Sequence, residues 1–154
     1  DPAVQRFLCL SKKPPTYEEA LADLPCFVRT PAPSGGGLWC IRCRSTTNFL
    51  GLILLLHTDD RTEVELGYRL FPTFWGQGYA TEAGLAVVNH AFGDLGLNAL
   101  CAIIHPDNTA SRTVAKKLGF LRTDCTTRLG FELDYYTLAR DSLIDSEFPK
   151  TTSY

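Results

Sequence analysis

Two rhythms of apolar and polar residues divide this chain. Leu38 to Arg44 and Phe49 to Leu56 are strand-like runs joined around Thr46-Thr47-Asn48, which predicts a β-hairpin. The second run is almost wholly apolar, as suits a central strand covered on both faces. After a turn at Asp59-Asp60-Arg61, Glu63 to Phe71 predicts a third strand that stops at Pro72. From Gly78 to about Phe92 the rhythm becomes helical, with Ala80, Ala83, Ala86/Val87 and Ala91 near one face, and Gly93 and Gly96 end it. Leu97 to Ile104 then reads as a buried strand and Asn108 to Leu118 as a helix stopped by Gly119. A final hairpin, Leu121–Thr127 with Phe131–Ala139, turns around Gly130. Strand, helix, strand, helix between residues 63 and 125 implies a parallel crossover, and the rest of the sheet is antiparallel.

The N-terminal part is less regular. Residues 1–10 suit the tail of a helix, and Thr16-Tyr17-Glu18-Glu19 has capping-box spacing, opening a short helix through Leu24. Thr30 to Gly37, rich in Pro and Gly, predicts a surface loop. The fold class is therefore α/β with a mixed sheet. It forms one domain over residues 1–145, followed by a polar tail at 146–154.

Composition narrows this only slightly. The 154 residues are 45% hydrophobic and 21% charged, with a net charge of −2, as in a globular domain with no nucleic-acid or membrane surface. The longest apolar run, Phe49–Leu56, is far short of the roughly 20 residues that span a bilayer. The six cysteines are scattered. Cys40 and Cys43 form a CxxC, but in a strand residues three apart face opposite sides, and no second pair or histidine completes a metal set. No metal site is expected. With no signal-peptide pattern at the start, reduced thiols and a cytoplasmic location are the expectation.

The chemistry concentrates in Phe74-Trp75-Gly76-Gln77-Gly78-Tyr79-Ala80-Thr81. Two glycines between a strand and a helix let a ligand approach the backbone, and the helix N-terminus offers N–H donors and positive potential to a phosphate. This is neither the three-glycine dinucleotide fingerprint nor a nucleotide P-loop.

Trp75 to Ala80 resembles the acetyl-CoA pyrophosphate loop of the GNAT acetyltransferases, Gln/Arg-x-x-Gly-x-Gly/Ala, with Trp75 in the Gln/Arg position. Two further motifs agree in order and spacing. Glu65-Leu66-Gly67-Tyr68 precedes the loop, and His105-Pro106-Asp107-Asn108-Thr109-Ala110-Ser111 follows the next strand, running on to Lys116-Lys117-Leu118-Gly119-Phe120. The resemblance is strong over residues 62–122, and Trp75 matches the RimJ/RimL-like branch.

That resemblance implies a splayed sheet in which the strands Glu63–Phe71 and Leu97–Ile104 part to admit the pantetheine arm. It implies an acetyl-CoA-dependent N-acetyltransferase acting on a peptide N-terminal α-amine or a small primary amine. A catalytically degenerate acyl-CoA-binding sensor or interaction module is the alternative. Pyrophosphate would meet the N–H groups of Gln77, Gly78, Tyr79, Ala80 and Thr81. The backbone of Leu70 and Phe71 would hold the thioester arm, and Asn108 would contact the pantetheine region. Glu65 is the expected base, with Glu63 competing from the same strand face. Ser111 is the expected acid, because Ala115 stands where many relatives carry a tyrosine. The residues alone allow plainer roles: Glu65 as a surface carboxylate, Asp107 or Asn108 as a helix cap, and Trp75 as packing beneath the loop.

The chemistry needs only modest help for an α-amine. With a pKa of about 7.7–8.0 it is roughly a tenth unprotonated at pH 7, whereas a lysine near 10.4 is below a thousandth. The family's usual first strand has no counterpart here, which predicts an uncovered edge at Leu38–Arg44. A second copy of the chain, rearranged N-terminal residues or an upstream segment would cover it, a homodimer being the first expectation.

Overall fold

The computed structural model describes residues 1–8, 15–58, 62–128 and 130–143. The turn expected at residues 59–61 and the tail at 146–154 lie outside them. Among the described residues, six strands form one mixed sheet in the order β1-β2-β3-β4-β6-β5. They are β1 (Gly37–Arg42), β2 (Phe49–His57), β3 (Val64–Leu70), β4 (Ala99–Ile104), β5 (Leu121–Arg128) and β6 (Phe131–Ala139). The helices are α1 (Pro2–Gln5), α2 (Tyr17–Val28), α3 (Tyr79–Asn89) and α4 (Thr109–Lys117). None of them is long and apolar enough to cross a membrane.

The capping box at α2 forms in full: Thr16 N–H donates to Glu19 Oε2 at 2.7 Å and Glu19 N–H to Thr16 Oγ1 at 3.2 Å. The helix runs past the expected end at Leu24, carrying Pro25 inside it. Proline's fixed φ is helical, so it costs the helix a hydrogen bond without ending it here. β1 is shorter than expected. Cys43 N–H bonds Asn48 O at 2.9 Å and Thr47 N–H bonds Cys43 O at 2.8 Å, drawing Cys43 and Arg44 into the turn.

The buried stripe of α3 is Gly84, Val87 and Val88, continued by Ala91 and Phe92. Val87 and Ala91 are buried as expected, whereas Ala86 is exposed and Ala80 and Ala83 are only half-buried, so the expected stripe holds in the second half of the helix and not in the first. Beyond Asn89, His90–Asp94 widen into a π-helical turn, within which Ala91 and Phe92 remain buried. These side chains pack with Ile53, Leu55, Val64, Leu66, Leu100 and Leu118 in one core between the sheet and α3/α4.

β1 lies at one edge and pairs only with β2 among the described strands. The parallel pair is held at a single register position, Glu65 opposite Cys101. β2 follows β3 over seven pairs, and β6 follows β4 over six. Beyond Glu65 the two halves of the sheet part.

Candidate active site

Strand alternation sorts the side chains around this parting. Glu65, Gly67 and Arg69 share one face of β3, while Leu66, Tyr68 and Leu70 share the other. The same alternation sorts the backbone. Phe71 N–H donates to Leu50 O at 3.0 Å, so the neighbouring Leu70 N–H turns away from β2 toward the opening. Of the two expected backbone donors, Phe71 is therefore engaged within the sheet, and Leu70 faces the gap. The Leu70 carbonyl accepts the Trp75 indole N–H at 2.8 Å. Trp75, 45% exposed, thus ties the glycine loop to the end of β3.

The loop makes one 3₁₀ turn at Pro72–Phe74 and then uses both glycines in the left-handed region, Gly76 at φ 73° and Gly78 at φ 90°. Gly78 is the N-cap of α3, and its carbonyl accepts from both Thr81 and Glu82 N–H at 3.0 Å. Thr81 N–H is consequently used inside the helix and leaves the expected set of phosphate donors. The Gln77 side chain folds back onto Thr73 O at 2.8 Å, and Gln77 does not line the adjoining groove. Gly76, Gly78, Tyr79, Ala80 and the Thr81 side of the helix start do.

That groove encloses about 530 Å³. Its walls are the glycine loop, the start of α4, Tyr68–Leu70 and, from the N-terminal segment, Phe7 and Leu8. A smaller cavity of about 160 Å³ reaches through the parting to Glu65 and Arg128. The two spaces share Phe7, Leu8, Tyr68, Arg69, Asn108 and Ser111.

At that junction Tyr68 Oη donates to Ser111 O at 3.3 Å, and burial pushes its pKa up to about 12. Asn108 caps α4, its Oδ1 accepting Ser111 N–H at 3.1 Å. The cap role is thus real, and it leaves the amide NH₂ as the group Asn108 can offer a ligand. On the opposite face, Arg128 donates through Nη1 and Nη2 to Glu65 Oε2, each at 3.3 Å. Burial disfavours the charged form of nearby Arg69 and lowers its pKa, while the Glu65 charge works against that shift. Glu63, the competing base, accepts from Tyr135 Oη and does not line either cavity. His105 accepts Asp107 N–H at 3.1 Å and packs against Phe7 at 5.6 Å. Cys101 is a core thiol, 1% exposed, with burial raising its pKa to about 12.

The structure therefore gathers Glu65, Leu70, Asn108 and Ser111 around one passage, with Gly78, Tyr79 and Ala80 at its outer end. Tyr68, Arg69, Arg128, Phe7 and Leu8 were not singled out from sequence. Alternation places Arg69 on the Glu65 face of β3 and Tyr68 on the other, which was a usable signal. Arg128 reaches Glu65 from the end of β5 although β4 and β6 lie between the two strands, and no local pattern announces that.

Residues 1–121 match the acetyltransferase (GNAT) domain, and the chain belongs to that family. It is similar to YoaA of Bacillus subtilis (strain 168), named an uncharacterized N-acetyltransferase, with 31% identity over 106 residues, covering 68% of this chain and 60% of that protein. A segment of 65 residues is 42% identical to the FsC-acetyl coenzyme A-N(2)-transacetylase of Aspergillus fumigatus, covering 42% of this chain and 27% of that enzyme. In fold it matches the GNAT-family acetyltransferase of Bacillus anthracis with a TM-score of 0.75 at 20% identity, covering 92% of this chain and 84% of that one. The chain spans about a third to three-fifths of the length of the Bacillus subtilis relatives it matches.

Proposed function

We propose that this protein is an acetyl-CoA-dependent N-acetyltransferase whose acceptor is a primary amine, either a peptide N-terminal α-amine or a small amine. The observation that carries this reading is the continuous passage through the sheet, with a phosphate-type glycine loop at one end and Glu65 at the other. The residues suit the cofactor. Gly76 and Gly78 leave backbone N–H groups accessible beside the groove, and the first turn of α3 adds positive potential. Lys117 adds a cation to the same wall.

When bound, acetyl-CoA would supply an activated acetyl thioester. Gly78, Tyr79 and Ala80 would hold its pyrophosphate, and the NH₂ of Asn108 its pantetheine amides. The Leu70 N–H would meet the carbonyl oxygen, a donor fixed in place by β3. Glu65 would accept the amine's proton, directly or through water, with Arg128 orienting the carboxylate. The Ser111 hydroxyl would donate to the departing sulfur. Thiols have a pKa of about 8.5, so that assistance can be light. Tyr68, with its raised pKa, stays protonated and serves as a fixed donor at the junction.

The finer assignment to the RimJ/RimL-like branch rests on Trp75 at the head of the loop and on Ser111 followed four residues later by Ala115. A thiol-release assay with acetyl-CoA against a panel of amines and peptides tests the reading. Amine-dependent release supports it. Saturable CoA binding without release by any acceptor would instead favour a non-catalytic acyl-CoA-binding role.

A further inference from the structure

The stretch between Asp107 and Asp124 holds Arg112, Lys116, Lys117 and Arg122 and no acidic residue, in a chain whose net charge is −2. The structure separates these cations. Lys117 lines the cofactor groove, whereas Arg112, Lys116 and Arg122 line a second, open groove of about 470 Å³ between α4 and β5. Two of the three are held in place. Asp134, 6% exposed, takes Arg122 Nε at 2.7 Å and Arg112 Nε at 3.6 Å. Arg112 also donates to Tyr136 Oη and to Pro106 O, both at 3.2 Å. One buried carboxylate thus orients two guanidinium groups without matching their charge, and Lys116 adds a third cation. Oriented guanidinium groups bind carboxylates with little further loss of freedom.

The rim carries an apolar feature as well. Leu121 is 67% exposed at the start of β5, and β5 forms an edge of the sheet among the described strands. An edge strand offers a row of backbone donors and acceptors to an extended chain. Single-stranded nucleic acid fits less well, because it needs exposed aromatic faces for its bases. The aromatics here, Phe120 and Tyr136, are 3% and 6% exposed.

We propose that this flank docks an extended acidic peptide segment, its carboxylates held by Arg122, Arg112 and Lys116 and an aliphatic side chain resting on Leu121. The surface adjoins the cofactor groove at Thr109 and Thr113, but Arg112, Lys116, Leu121 and Arg122 do not line that groove, and the docking does not depend on the proposed activity. The test is fluorescence anisotropy at low salt with a short, N-acetylated, labelled peptide of alternating Glu and Leu, beside a labelled oligo-dT. The full chain should bind the peptide more tightly than the oligonucleotide. Lys116→Glu should weaken peptide binding at least roughly fivefold, and Leu121→Ser roughly threefold, with CoA affinity unchanged in both. Arg122→Glu should do the same if it folds, and Lys116→Glu, at a fully surface position, keeps the test independent of that. Absence of peptide binding, wild-type affinity in Lys116→Glu, or tighter binding of the oligonucleotide would overturn the proposal.

Discussion

Glu65 stands opposite Cys101 at the register pair that joins the two parallel strands, so the candidate base sits at the fork of the sheet. Toward Leu70 the strands diverge and a cavity opens. The carboxylate is therefore placed where a ligand passing between β3 and β4 must arrive. Arg128, reaching across from β5, ties that carboxylate to the far half of the sheet through two 3.3 Å contacts.

Glu65 and Ser111 should affect turnover in different ways. Glu65→Gln should lower turnover most at low pH, where fewer acceptor amines are already deprotonated, and should leave CoA affinity little changed. Ser111→Ala should lower turnover by roughly 10²–10⁴, the range for a positioned acid. Its backbone carbonyl, which binds Tyr68, survives the substitution. Steady-state rates across pH for both variants check this, and wild-type rates in both would assign the chemistry to other groups.

His90 should make stability depend on pH. Nε2 faces Gly35 O at 3.0 Å and Nδ1 faces Asp94 Oδ2 at 2.7 Å. Both partners are acceptors, so only the imidazolium satisfies both. The Gly35 contact first, then Asp94, raises the His90 pKa in the folded chain. A raised pKa contributes stability that is full below the unfolded value near 6.5 and is lost as pH rises through the folded value. Urea midpoints should thus fall between mildly acidic and mildly basic pH in the wild type, and less so in His90→Gln. Parallel curves would contradict the clamp.

Gly51 should tolerate no side chain. A methyl group there would lie 2.1 Å from the Arg69 carbonyl oxygen. Because that contact is backbone, β2 and β3 must separate beside Leu70. Gly51→Ala should destabilise the fold by about 1–3 kcal/mol and also weaken CoA binding, read from urea denaturation and calorimetry. Full stability would show that the strands can shift freely there.

Much of this was legible in the residues. The glycine loop declares itself by the abrupt change from strand to helix around Gly76 and Gly78, and Thr16 and Glu19 cap α2 as their spacing demands. Alternation along β3 puts Glu65 on one face with Gly67 and Arg69, away from Leu66 and Leu70. What could not be read depends on three-dimensional order. Arg128 meets Glu65 at a separation of 63 positions through a strand order no local pattern encodes. The buried stripe of α3 includes Val87 and Ala91, as the helical period suggests, but its first turns present Gly84 instead of Ala80 and Ala83. The donor sets were overdrawn at Phe71 and Thr81, whose N–H groups are consumed by Leu50 and Gly78.

Calorimetric titration of CoA into the wild type and Gly78→Val tests the central claim most directly. Gly78 holds φ 90° and ψ −12° at the start of α3, and an added Cβ would meet no protein atom within 4 Å. Valine would strain that conformation and place its side chain beside the backbone donors. The account predicts saturable binding to the wild type and, in a variant shown to be folded, affinity lowered at least roughly tenfold, about 1.4 kcal/mol. Unchanged affinity in the folded variant would contradict it.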